Sequence, residues 1–205
     1  MRIRSSLASS SASSPSPPEM LTVAAFTAIV DHHQHTLHAF LRGVIASPEL
    51  ARDLTQDAFA DAWRCAQAGT SPFTAGHTDD EVRRCLFHAA YYKAISVLRR
   101  RRLITWESLD TTSGPEPVLV CGAIPFEDQI AEGEALRAAL ARLNPQDTAC
   151  LLLRVVQGFS AAETGQIVGA APDVVAKRLS RAKQRLRAAY LAQEAGEPRP
   201  QERTR

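Results

Sequence analysis

Nowhere in the 205 residues does an apolar run approach the roughly 20 residues that a membrane-spanning helix needs. The opening stretch, MRIRSSLASSSASSPSPPEM, carries Arg2 and Arg4 but lacks the apolar segment of a signal peptide. Ser, Ala and Pro dominate it, so a disordered leader is expected over residues 1–20. Both absences argue for a cytoplasmic protein with no membrane insertion. An excess of one charge is missing too: 24 Lys and Arg face 22 Asp and Glu, for a net +2. Any case for an anionic partner therefore rests on where charges sit, not on their sum. Cys65, Cys85, Cys121 and Cys150 are too scattered for a CxxC pair and read as small apolar core residues. Convincing period-two alternation, the mark of a strand, is also absent.

What is present is helical periodicity. Apolar residues make up 45% of the chain, which supplies a core. Val23, Phe26, Ile29, Val30, Leu37, Phe40, Leu41 and Val44 recur at helical spacing, predicting a helix over 21–46. Ser47 offers an N-cap and Pro48 a first helical position for a second helix running to about Ala68. After a turn-rich loop a third helix is expected from Asp80 to Arg102. Residues 111–126, TTSGPEPVLVCGAIPF, hold three prolines and two glycines and read as an extended linker. Four helical segments follow, at about 127–143, 145–157, 160–168 and 172–192. The expected fold class is all-α: two small helical domains joined by a flexible linker.

Three stretches carry chemistry. In FSAAETGQIVGAAPDVVAKRLSRAKQRLR, Ser160 and Glu163 have the spacing of a capping box. Gly169 permits a tight turn, and Pro172 starts a longer helix, which is helix-turn-helix logic. That second helix carries Lys177, Arg178, Arg181, Lys183, Arg185 and Arg187, a distribution suited to phosphates and base edges in a major groove. A merely solvated basic helix is the alternative. In SPELARDLTQDAFADAWRCA, Glu49, Asp53, Asp57 and Asp61 form an acidic stripe at i,i+4 spacing. Like charges four apart destabilise a helix by a few tenths of a kcal/mol per pair, so the stripe fits a basic partner surface or a solvated face. In EVRRCLFHAAYYKAISVLRRRRL, Tyr91 and Tyr92 sit among Arg83, Arg84, Lys93 and the run Arg99–Arg102. Interleaved cations and aromatics fit unstacked nucleic acid, and a packed tyrosine core beside solvated arginines is the alternative. His32, His35 and His38 recur at i,i+3, but all lie on one helix without a second cluster to complete a tetrahedral set, so no metal or other cofactor is expected.

In this order and spacing, the three stretches resemble the two domains of an extracytoplasmic-function (ECF) sigma factor. ELARDLTQDAFADAWR is similar to the family signature A-E-D-L-x-Q-E-x-F-x-x-A-W at Asp53, Leu54, Gln56, Phe59, Ala62 and Trp63, with Asp57 in the Glu position. RRCLFHAAYYKAISVLRRRR resembles the following helix, and residues 140–187, with Arg178 to Ala182 reading RLSRA, resemble the C-terminal domain. The resemblance implies a non-enzymatic protein with core RNA polymerase, promoter DNA and an anti-sigma factor as partners. It implies polymerase contacts at Asp53, Gln56, Asp57 and Asp61. Contacts to the −10 element would come from Phe73, Thr74, His77, Tyr91, Tyr92, Lys93, Arg99, Arg100 and Arg101. Contacts to the −35 element would come from Lys177, Arg178, Arg181 and Lys183. The implied domains are 21–105 and 130–192, with a linker at 106–129 and a tail at 193–205. Family positions usually Asn and Asp are Tyr92 and Ser96 here, a usual Trp is Cys85, and Val174 and Ala176 also depart from the pattern. A helix-turn-helix regulator that never joins polymerase would explain residues 145–192 equally well; a small metal-dependent enzyme built on the histidines is the remote alternative.

Overall fold

The computed structural model describes residues 21–45, 47–69, 72, 73, 77–107, 133 and 136–196. Thr22 opens the first helix by accepting the Ala25 N–H at 3.2 Å, and α1 spans Val23–Val44. Ser47 does the same for α2, Pro48–Gln67, accepting the Leu50 N–H at 3.3 Å. Pro48 fills the first turn, where its missing N–H leaves no bond unmade. Helix α3, Asp79–Glu107, starts one residue before its predicted position because Thr78 and Glu81 satisfy each other. The Thr78 N–H donates to Glu81 Oε2 at 2.9 Å, and the Glu81 N–H donates to Thr78 Oγ1 at 3.3 Å.

These three helices pack through the faces their periodicity predicts. Leu37, Phe40 and Leu41 of α1, Ala51, Leu54 and Ala58 of α2, and Leu86, Phe87 and Ala90 of α3 are buried. Burying each large apolar side chain stabilises by about 1.5–3 kcal/mol. Phe40 meets Phe87 edge-on at 5.2 Å, and Phe26 tilts against Trp63 at 4.9 Å, tying α1 to its two neighbours.

The second half begins with a helical segment at 136–141. Asn144 then caps α4, Pro145–Leu151, by accepting the Gln146 N–H at 3.0 Å. The predicted single helix over 145–157 instead widens into a π-turn at Leu152–Val156. It closes with Gln157 N–H to Leu152 O at 2.9 Å and Phe159 N–H to Leu153 O at 3.1 Å. The wider turn keeps Leu153 fully buried while Val155 and Val156 face outward. Helix α5, Ala161–Val168, has the predicted capping box: Ser160 Oγ accepts the Glu163 N–H at 3.2 Å, and Glu163 Oε2 accepts the Ser160 N–H at 2.8 Å. Gly169 ends α5 in the left-handed region at φ 64°, a conformation other residues adopt at a penalty, and α6 follows at Pro172–Gly196. The fold is all-α with a helix-turn-helix in its C-terminal half, as the periodicity predicts.

Leu143, Leu151 and Ala182, with Leu140, Leu179 and Leu186 against them, give this half a small core of its own. The larger core does not stop at the boundary between halves. It runs from Leu37, Phe40 and Phe87 into Ala149, Cys150, Leu153, Phe159, Ile167, Val168 and Val175. The predicted leader and all but the first two positions of the predicted linker lie outside the described residues, as does most of the tail; α3 and α6 both run past their predicted ends.

Candidate functional site

The acidic row on α2 is an open charged feature of the first half. Its apolar arc faces α1 and α3, which turns Asp53, Gln56 and Asp57 to solvent. No ion pair joins Asp53 or Asp57 to another described residue. Asp61 differs from its row-mates. Its Oδ2 accepts from Lys93 Nζ at 2.6 Å, and Arg64 also pairs with it. The Lys93 ammonium holds its carboxyl below the usual carboxylate range. Two residues expected to meet different partners, Asp61 and Lys93, thus neutralise each other across α2 and α3.

The aromatic and basic set around α3 divides by burial. Tyr92 is 46% exposed, and Arg99, Arg100 and Arg101 face outward on the helix. Phe73 and Tyr91, expected at a DNA surface, are 2% and 3% exposed and pack in the apolar core. Burial also pushes the Tyr91 hydroxyl above its ordinary pKa. His77 is half-buried, with Nδ1 3.3 Å from Glu81 Oε2. Thr74 lies outside the described residues.

On the recognition helix α6, Lys177, Arg181 and Lys183 are exposed, and Lys177 makes a loose 3.7 Å pair with Asp173. Arg178 turns the other way. Its guanidinium lies beside the Tyr91 hydroxyl and the Cys150 thiol, and Nη1 is buried without a hydrogen-bond partner. The side chain expected to read a base edge is directed into the molecule here. It helps line a cleft of about 400 Å³ with Tyr92, Ser96, Arg99 and Gln146, bringing residues expected at the −10 and −35 elements together.

Arg83, Arg84, Gln157, Phe159 and Glu163 carry contacts that the sequence does not signal. Arg83 donates to the Gln157 carbonyl and lies 4.2 Å over the Phe159 ring. Arg84 sits 3.8 Å from Glu163. Neither arginine stands out in one sequence, because its partner lies more than 70 positions away.

The histidines also regroup. In place of the i,i+3 set, His32 and His33 converge on Asp79, at 3.9 and 3.0 Å from its two oxygens. His38 turns to Thr55 instead, at 3.4 Å. Burial lowers the His33 pKa against the opposing pull of Asp79, and the neighbouring Arg83 charge works in the same direction as burial. A cation close by disfavours a dication, so the group works as a polar tie between α1 and the start of α3. No helix among the described residues is long and apolar enough to cross a membrane.

A capped short helix, a left-handed glycine turn and a basic second helix are the elements of a DNA-reading module. Residues 133–186 match the family model described as Sigma-70, region 4. Over a longer stretch the chain is similar to one ECF sigma factor. It is 29% identical over 151 residues to the ECF RNA polymerase sigma factor BldN of Streptomyces coelicolor, across 71% of this chain and 52% of that protein. The chain thus spans about half the length of the curated relative it matches. Its fold is also that of the sigma factor RpoE of Bartonella quintana, solved in complex with the anti-sigma factor NepR. The TM-score is 0.63 at 22% identity, over 82% of this chain and 97% of that one.

Proposed function

We propose that this chain is an alternative sigma factor, binding bacterial core RNA polymerase and directing it to specific promoters. The observation that carries this reading is a division of charge between two helices. An unpaired acidic row, Asp53 and Asp57 with Gln56 beside them, stands on α2, and an exposed basic row, Lys177, Arg181 and Lys183, stands on the second helix of the helix-turn-helix. The acidic row suits a basic protein surface, and the basic row suits phosphate and base edges. Residues 21–105 would hold polymerase and open the −10 element, with Tyr92 and Arg99 to Arg101 at the strand and His77 at the loop; residues 130–192 would read the −35 element. Energy gained on unstacked bases offsets duplex opening, so the role needs no catalytic group and no cofactor. It places the protein in the cytoplasm, with an anti-sigma factor as its restraining partner.

Run-off transcription with core polymerase and a pool of promoter fragments tests this. Specific transcripts should require the chain, and should disappear with Asp53→Arg and weaken with Arg181→Ala. Binding to duplex DNA without any association with core polymerase would instead identify a helix-turn-helix regulator of another class.

A further inference from the structure

We propose that the cleft lined by Arg99 and Arg178 is a binding site for a free mononucleotide, with its phosphates on the two guanidiniums and its base on the Tyr92 ring. Such a site does not depend on the sigma-factor reading above. Tyr92, Ser96 and Arg99 recur at i, i+4 and i+7, which sets them along one face of α3. Gln146, from the first turn of α4, and Arg178, from α6, help complete the lining. The cleft holds about 400 Å³, a volume within the usual range of small-ligand sites.

Charge is what this cleft leaves unsettled. Two guanidiniums line it and no carboxylate does. Neither Arg99 nor Arg178 forms an ion pair with another described residue. Arg178 Nη1 is buried without a hydrogen-bond partner, which is destabilising until an acceptor arrives. A phosphate supplies that acceptor, and its oxygens match the forked donors of a guanidinium. The Ser96 hydroxyl and the Gln146 side-chain amide add neutral donors to the same lining. Tyr92 supplies the apolar part. Its ring is 46% exposed, and its hydroxyl sits so close to Gly169 that a methyl group there would collide with it. The ring is thereby held in place before a ligand arrives, and a base can stack on its open side. Inorganic phosphate would leave the ring uncovered, and a nucleoside would leave the guanidiniums unpaired. The lining therefore selects a ligand that carries both a base and a phosphate.

Calorimetric titration of the full chain tests this, with ADP and GDP as probes. Adenosine, pyrophosphate and a short mixed-sequence single strand of DNA are the comparisons. A nucleotide should bind with a stoichiometry of one per chain. Pyrophosphate should bind about 10-fold more weakly for want of stacking, and adenosine should not bind measurably. Arg99→Ala should lower nucleotide affinity about 10-fold, the loss of one charged hydrogen-bonding group. Ser96→Glu puts a competing carboxylate into the lining and should lower it by about 100-fold. Both positions are exposed, so each variant should fold, which its melting temperature checks. Arg42→Ala, at an exposed arginine of α1 outside the cleft, should bind as wild type does. Absence of nucleotide binding would overturn the site. So would equal losses in Arg42→Ala and Arg99→Ala, the mark of diffuse surface attraction. Tighter binding of the single strand than of either nucleotide, lost in Arg99→Ala, would also overturn it and give the cleft to DNA. None of these readouts involves polymerase, so the site and the sigma-factor reading can fail separately.

Discussion

Helices α2 and α6 each carry a row of like charge, and they keep it differently. On α2 the row is opposite the apolar arc, so one packing interface settles both: Leu54, Ala58 and Ala62 go in, and Asp53, Gln56 and Asp57 come out. On α6 two interfaces compete. Leu179, Ala182 and Leu186 face the small core of the second half, while Val175 and Arg178 are claimed by the junction with the first. A charged row is a solvent face only where one neighbour decides the helix orientation. Where a second body docks, even an arginine can be taken inward, and its aliphatic stem is then as useful as its charge.

The strongest break of this comparison removes the junction itself. Phe87→Ala takes away a ring that touches both Phe40 of α1 and Phe159 of the second half. Denaturant unfolding should show a loss of about 3–5 kcal/mol. Circular dichroism and tyrosine fluorescence should report it as one transition in wild type, and as two in the variant as the halves uncouple. Two separate transitions already in wild type would show that the shared core does not couple them.

Next in size is the charge on α2. Asp53→Arg together with Asp57→Arg should reduce association with core polymerase by about 10- to 100-fold, since like charges then meet across the contact. Thermal stability should not fall, because neither carboxylate supports another described residue. A loss of stability equal to the loss of binding would reassign the row to the fold.

Acidity separates the buried polar groups from the exposed ones. Burial lowers the His33 pKa, so the unfolded chain binds a proton more readily than the folded one. Stability from this group is full above the ordinary histidine value and falls as pH drops through about 6.5 toward the lowered folded value. Melting temperature should therefore decline between pH 7 and pH 5, and His33→Gln should flatten that slope. Asp61 acts in a lower window: its carboxyl, held down by Lys93, contributes above the ordinary carboxylate range and loses that contribution as pH falls through the depressed value. Asp61→Asn should reduce stability only modestly, because the pair is partly exposed to solvent.

Much of the fold was legible because its signals are local. Thr22, Ser47, Asn144 and Ser160 each cap a helix through a bond spanning two or three residues, and Gly169 marks its own turn. Charge on α2 was legible for the same reason. The π-turn at Leu152–Val156 was not, since the residues that use it, Gly43 and the junction core, come from the other half. The burial of Tyr91 and Phe73 was hidden by a similar ambiguity: an aromatic amid arginines suits a nucleic-acid surface or a core equally, and only the three-dimensional neighbours decide. The Asp61–Lys93 pair joins two helices that each looked like a separate binding face.

The finest division falls between two adjacent residues on α6. Lys177 and Arg178 carry the same charge and the same sequence expectation, and the helix sets them about 100° apart. Lys177 stands in solvent with only a loose surface pair to Asp173, so Lys177→Ala should change stability by less than about 0.5 kcal/mol. In promoter binding it should weaken affinity evenly across sequences and reduce the salt slope by about 1, the signature of one phosphate contact. Arg178→Ala should instead cost about 1 kcal/mol of stability through lost packing on Tyr91 and Cys150. Equal responses from the two neighbours, in stability and in salt slope, would mean that α6 presents both to solvent and that the junction leaves the recognition helix untouched.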